Sequence, residues 1–155
     1  KVERLKDRMG ESLGEYMVLT SEDAMVDEAE LSKVMESTLE IIRNMNSKEK
    51  NRASNFIEFI SGKGKSLNNV LERVLKVLTQ DGYIQTGIEG NVIKNLLARP
   101  YSLASARAMG GNTIGMFADM KVIVPEGGKG RFVANPDSLL LAKVRTMIDL
   151  TAPAA

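Results

Sequence analysis

The sequence predicts a mainly α-helical protein with small β hairpins, and three observations carry that expectation. Apolar residues recur at i, i+3, i+4 and i+7 in one segment after another along the 155 residues. Most of these segments open on a Ser or Asn suited to capping a helix, and several close on Gly, Pro or an Asp-Gly pair. Two stretches, Tyr83–Thr86 and Val122–Ala134, instead combine β-branched and aromatic residues with glycine-rich turns, the composition of short strands.

Composition narrows the function before any motif is considered. A hydrophobic content of 43% is enough to build a core, so disorder is not the default. The chain has neither Cys nor His, which removes zinc fingers, disulfide frameworks, histidine general bases and cysteine nucleophiles together. Catalysis is not expected, nor is a cofactor or small-molecule ligand. No apolar run approaches the roughly 18 residues that span a membrane, and no signal-peptide pattern opens the chain. With the lack of Cys, this sets the expectation of a cytoplasmic protein away from membranes. Lys1 rather than Met stands first, as in an excised or processed fragment.

The net charge of +1 conceals a division along the chain. Residues 1–46 hold 6 basic and 11 acidic side chains, whereas residues 91–135 hold 6 basic and 2 acidic. A polyanion is steered toward the second half. Solvated surface charge with no partner is the alternative.

In chain order, Val2, Leu5, Met9, Leu13, Tyr16 and Met17 follow helical spacing, with Gly10 and Gly14 weakening the helix. Thr20 and Ser21 stand where a cap is wanted for a second helix, with Glu22 and Asp23 in its first turn. Met25, Ala29, Val34, Met35, Leu39, Ile42 and Met45 fall on one side of it. The carboxylates Glu22, Asp23, Asp27, Glu28 and Glu30 read as a solvated face, not a metal or acid-base site. Residues 1–46 thus form an acidic helical extension.

Ser47 is placed to cap a third helix containing Ala53, Phe56, Ile57 and Ile60, and Ser61-Gly62-Lys63-Gly64-Lys65 breaks it. The run Gly64-Lys65-Ser66 invites comparison with a phosphate-binding loop, but Phe59 stands where that loop needs its first glycine. Lys63 and Lys65 are instead loop charges within reach of a phosphate backbone. Ser66 is placed to cap the next helix, whose buried stripe is Leu67, Val70, Leu71, Val74, Leu75 and Leu78, with Asn68, Asn69, Arg73 and Lys76 on its other sides. Asp81-Gly82 ends it before the strand Tyr83–Thr86.

The most specific stretch is residues 91–135. Asn91 is placed to cap a short helix with Val92, Ile93, Leu96 and Leu97 on one face, and Pro100 ends it, because the residue before proline is pushed out of helical geometry. Ser102 caps Leu103–Met109, and Gly110-Gly111-Asn112 then reads as a turn. Thr113–Ile123 reads as another helix, with Ile114, Phe117 and Met120 inward and Asn112, Thr113, Gly115, Met116 and Asp119 outward. Val122-Ile123-Val124 and Arg131–Ala134 enclose a turn of three glycines bearing Lys129.

This order is similar to the winged helix-turn-helix family of DNA-binding proteins over residues 91–135, with a looser match at 47–90. The resemblance implies one or two tandem units behind the helical extension. It also implies that Gly110 marks the helix-turn-helix turn and Thr113–Ile123 is the recognition helix. The register requires one extra residue at Gly110-Gly111-Asn112, which glycine's conformational freedom allows. The implied function is double-stranded DNA binding, as a transcriptional regulator or a plasmid- or phage-type replication or partition protein. The contacts implied are Lys63, Lys65, Arg107, Lys121, Lys129 and Arg131 on phosphates, with Asn112 and Thr113 at the start of the recognition helix. Gly115 and Met116 are poor readers of base edges.

A last helix follows from Ser138, with Leu139, Leu140, Leu141, Val144, Met147 and Ile148 as its stripe and residues 151–155 as a tail. In the family such a helix often dimerises, so a homodimer or a protein partner at the N- and C-terminal helices is also expected. The competing expectation is an interaction module that docks a protein partner through the same fold and its Met-rich helical faces.

Overall fold

The computed structural model describes residues 28–60, 66–98 and 100–151. The helix expected over Val2–Leu19, the Thr20–Ser21 cap, Met25, the carboxylates Glu22, Asp23 and Asp27, and Lys63 and Lys65 lie outside the described residues. So do the side chains of Glu28, Glu30, Val34, Met35 and Leu39.

The described chain forms α1 (Glu28–Arg43), α2 (Ser47–Ile60), α3 (Asn69–Asp81), β1 (Ile84–Gln85), α4 (Asn91–Ala98), α5 (Leu103–Asp119), β2 (Ile123–Pro125), β3 (Arg131–Ala134) and α6 (Leu139–Met147). The three strands make one antiparallel sheet in the order β1-β3-β2, with Ile84 opposite Phe132 and Ile123 opposite Ala134. The protein is therefore mainly helical with a small sheet.

Local signals account for most element ends. Asn46, not Ser47, caps α2: its Oδ1 accepts from Glu49 N at 2.9 Å, and its Nδ2 donates to Glu49 Oε1 at 3.2 Å. Asn68, not Ser66, caps α3 by accepting from Val70 N. Gly82 closes α3 in the left-handed conformation at φ 82°, where a side chain would be strained. Ser102 and Ser138 cap α5 and α6 as expected. Asn91 does not cap α4. Its Oδ1 accepts from Gln85 N and its Nδ2 donates to Tyr83 O, so it ties the start of α4 to β1.

The core runs through α3, whose Val70, Leu71, Val74, Leu75, Val77 and Leu78 are all buried. Phe56 of α2 meets Phe117 of α5 edge to face, ring centroids 5.3 Å apart, so α2 covers the inner side of α5. Two expectations for α3 are corrected. Arg73 and Lys76 do not point outward but are buried, at 6% and 8% exposure. Arg73 Nε donates to Asn95 Oδ1 at 2.9 Å and its Nη2 donates to the Asn95 carbonyl. It thereby satisfies one of the carbonyls that a helix as short as α4 leaves without a partner. Lys76 is paired with Glu72 one turn away, at 3.5 Å.

The segment 47–90 does not close on a hairpin of its own. Its strand β1 adds to β3 of the later hairpin, and Gly87–Gly90 connects β1 to α4. Residues 69–85 and 91–134 share one sheet and one core.

The break expected at Gly110-Gly111-Asn112 is also absent, because α5 runs unbroken from Leu103 to Asp119. Neither glycine has a positive φ. A Cβ on Gly110 would stand 3.2 Å from Leu96 Cδ1 and 3.3 Å from Ile93 Cδ1, so this glycine lets α4 lie close against α5 instead of turning the chain. Gly111 faces open space. The two positions therefore respond oppositely in urea denaturation. Gly111→Ala is expected to stabilise by about 1 kcal/mol, the helix-propensity difference, while Gly110→Leu destabilises by about 2 kcal/mol through overpacking. A destabilised Gly111→Ala would mean that a turn, not a helix, occupies this point.

Candidate nucleic-acid interface

α4 and α5 follow one another with four residues between Ala98 and Leu103, and the β2–β3 hairpin comes next in the chain. Burial divides α5 sharply. Ala106, Gly110, Thr113, Ile114, Met116 and Phe117 are buried, whereas Leu103, Ala104, Ser105, Arg107, Ala108 and Gly111 are exposed.

This division corrects part of the expected contact set. Thr113 is fully buried and its hydroxyl has no hydrogen-bond partner, so it cannot meet a ligand. Met116, expected outward, is also fully buried. Asn112 sits in mid-helix, half-buried, with Nδ2 donating to the Ala108 carbonyl at 2.8 Å. Ile114, Phe117 and Met120 face inward as expected. Arg107 is exposed on α5.

The hairpin tip is held by the sheet. Gly127 and Gly130 take left-handed φ values of 76° and 75°. Thr86 N donates to Gly130 O at 2.9 Å and Gln85 Nε2 donates to Lys129 O at 3.1 Å, so β1 fixes the backbone that carries Lys129. A Cβ on Gly130 would come within 2.2 Å of Thr86 Oγ1, so only glycine permits this approach. Lys129 is exposed. The Arg131 guanidinium lies 4.1 Å from the centre of the Tyr83 ring. Stacking of this kind holds a cation in place while leaving its in-plane N–H groups free for an anion. Sequence reasoning missed Tyr83 as a platform because the pairing of β1 with β3 is what brings it there.

Lys121 is not part of this group. It lies at the opposite end of the hairpin, exposed at φ 62°, with its carbonyl accepting from Asn135 Nδ2 at 2.8 Å. There it lines a cleft of about 660 Å³ with Lys33, Ser37 and Asp137. Lys94 was also missed; it is exposed on α4, 3.9 Å from Glu89. A signal for it existed: from Gly90 to Ala118 the chain has no acidic residue, while Lys94, Arg99 and Arg107 fall within the run.

The far end of α5 meets the start of α2. Glu49 Oε1 is the atom a Cβ on Gly115 would approach to 3.2 Å. The Glu49 carboxyl is held above its ordinary range by burial first, then by a hydrogen bond to Asp119 and that group's charge, with Asn46 partly opposing. A carboxyl with a raised folded-state pKa binds its proton more tightly folded than unfolded, so its cost is absent at low pH and appears as pH rises through the folded value. Glu49→Gln keeps an acceptor for Asn46 Nδ2 and is expected to raise Tm at pH 7, with the gain vanishing toward pH 4. An equal gain at both pH values would rule out the titration as its source. Thr113→Val is expected to stabilise by about 1 kcal/mol in thermal unfolding by removing an unpaired buried hydroxyl, and to leave ligand binding unchanged. Loss of binding would place Thr113 back at the surface.

No group of three or more potential metal ligands occurs among the described residues, and no described helix is long and apolar enough to cross a membrane. No family model, curated protein or solved structure matches the chain.

Proposed function

We propose that the chain binds double-stranded DNA as one winged helix spanning residues 69–134. The observation that carries this reading is the element order helix, strand, helix, short connection, helix, hairpin, with the first strand added to the returning strand of the hairpin. That arrangement is similar to the winged helix-turn-helix family. In it α4 and α5 are the helix-turn-helix, α5 is the recognition helix, and residues 126–130 are the wing. On this reading the recognition helix begins at Leu103, not Thr113, and a single unit takes the place of the one or two expected.

Electrostatics supports the same face. The acid-free run from Gly90 to Ala118 covers α4 and all of α5 but its last residue, Asp119, and Lys129 on the wing and Arg131 beside it add cations. Phosphate contact by Lys94, Arg107, Lys129 and Arg131 supplies most of the affinity, because backbone contacts position a protein on the duplex without reading its sequence. A transcriptional regulator and a plasmid- or phage-type replication or partition protein would use such a unit alike. A second reading is favoured by Leu97 and Leu103, 40% and 45% exposed on either side of the α4–α5 turn. Exposed leucines at a corner suit a protein partner.

A salt titration of duplex binding separates the two. The logarithm of the affinity is expected to fall linearly with the logarithm of salt concentration, with a slope of about −0.9 per phosphate neutralised. Lys129→Ala and Arg131→Ala should each reduce that slope by about one on every duplex tested. No binding to any duplex at low salt would reject the DNA reading.

A further inference from the structure

We infer that α5 reads thymine through its 5-methyl group, so that the DNA partner is A·T-rich duplex entered by the major groove. The inference rests on the DNA reading above. Ala104, Ala108 and Gly111 are exposed and spaced to lie along one side of α5, and Leu103 stands exposed at its start. Arg107 is the one cation among the exposed residues of this helix. The Nδ2 group of Asn112 already donates to the Ala108 carbonyl. The outward face thus presents methyl groups, one cation and the Ser105 hydroxyl, with few other donors or acceptors to match to base edges.

Apart from Arg107, whose guanidinium can pair with guanine O6 and N7, and the Ser105 hydroxyl, such a face has little with which to follow the donor and acceptor code. Thymine is the base that places a methyl group in the major groove, and apolar side chains recognise it there by contact. A protein partner could also cover Leu103, but charge complementarity favours DNA. No carboxylate lies between Gly90 and Ala118, and Lys94, Arg107, Lys129 and Arg131 stand ready for phosphates.

The test compares two alternating duplexes, dA·dT and dA·dU, which differ only in the thymine methyl, by fluorescence anisotropy. The protein is expected to bind the thymine duplex about fourfold more tightly for each methyl contacted, the factor for withdrawing one methyl-sized group from water. The salt slope should be the same on both. An Ala104→Ser, Ala108→Ser variant, which keeps the helix but replaces methyl with hydroxymethyl, should narrow the gap, whereas Lys129→Ala should weaken both complexes alike. Equal affinity for the two duplexes, or a gap unchanged in the double variant, overturns the thymine inference while leaving salt-dependent DNA binding intact. Failure to bind either duplex overturns both readings.

Discussion

Two residues of strand hold the arrangement of this protein together. Ile84 and Gln85 pair with Phe132 and Arg131, and through that pairing the β2–β3 hairpin acquires a fixed position beside the helices. The contact joins segments far apart in the chain, so its closure entropy must be offset by what it buries and bonds. Ile84 is fully buried, Thr86 and Gln85 bond the carbonyls of Gly130 and Lys129, and Tyr83 lies beneath Arg131. Asn91 extends the same connection into α4 by bonding both Gln85 and Tyr83. Without β1, the hairpin would keep the packing of Ile123, Phe132 and Ala134 on the core but lose the pairing along β3 that fixes its tip.

The helices impose a second constraint. Gly110 lets α4 lie against α5, and Phe56 of α2 fills the inner side of α5 against Phe117. Each is a steric condition, met by the smallest and among the largest of residues. Together they decide which side of α5 remains outside, and so they bury Thr113 and Met116 while leaving Arg107 exposed. Arg73 closes the end of α4 from within, and its hydrogen bonds to Asn95 and its place 5.6 Å from the centre of the Tyr101 ring offset part of the cost of burying a cation in α3.

The exposed face that results is cationic but poor in groups that recognise bases. Phosphate contact by Lys129, Arg131 and Arg107 would give strong dependence on salt and little on sequence. Any sequence preference then falls to apolar contact or to the shape of the duplex. The paired carboxyls of Glu49 and Asp119 lie at the end of α5 remote from Leu103, where their repulsion acts on the α2–α5 junction and not on a ligand at the start of α5.

Much of the local structure was legible in the sequence because its causes are local. Helical periodicity located α3 and α6, Pro100 ended α4, Gly82 ended α3, Ser102 and Ser138 capped their helices, and the glycines of residues 127–130 marked a turn. Absence of Cys and His set limits on chemistry in the same direct way. What periodicity could not decide was which elements meet. Gly110-Gly111 has the composition of a turn, and only the side chains of α4 passing over it make a helix the better solution. Tyr83–Thr86 has the composition of a strand leading into its own hairpin, and only the edge offered by β3 draws it into the later one. Composition and spacing act within a few residues and so determined the elements; steric fit and strand pairing act between distant residues, and tertiary structure alone decided how those elements form one unit.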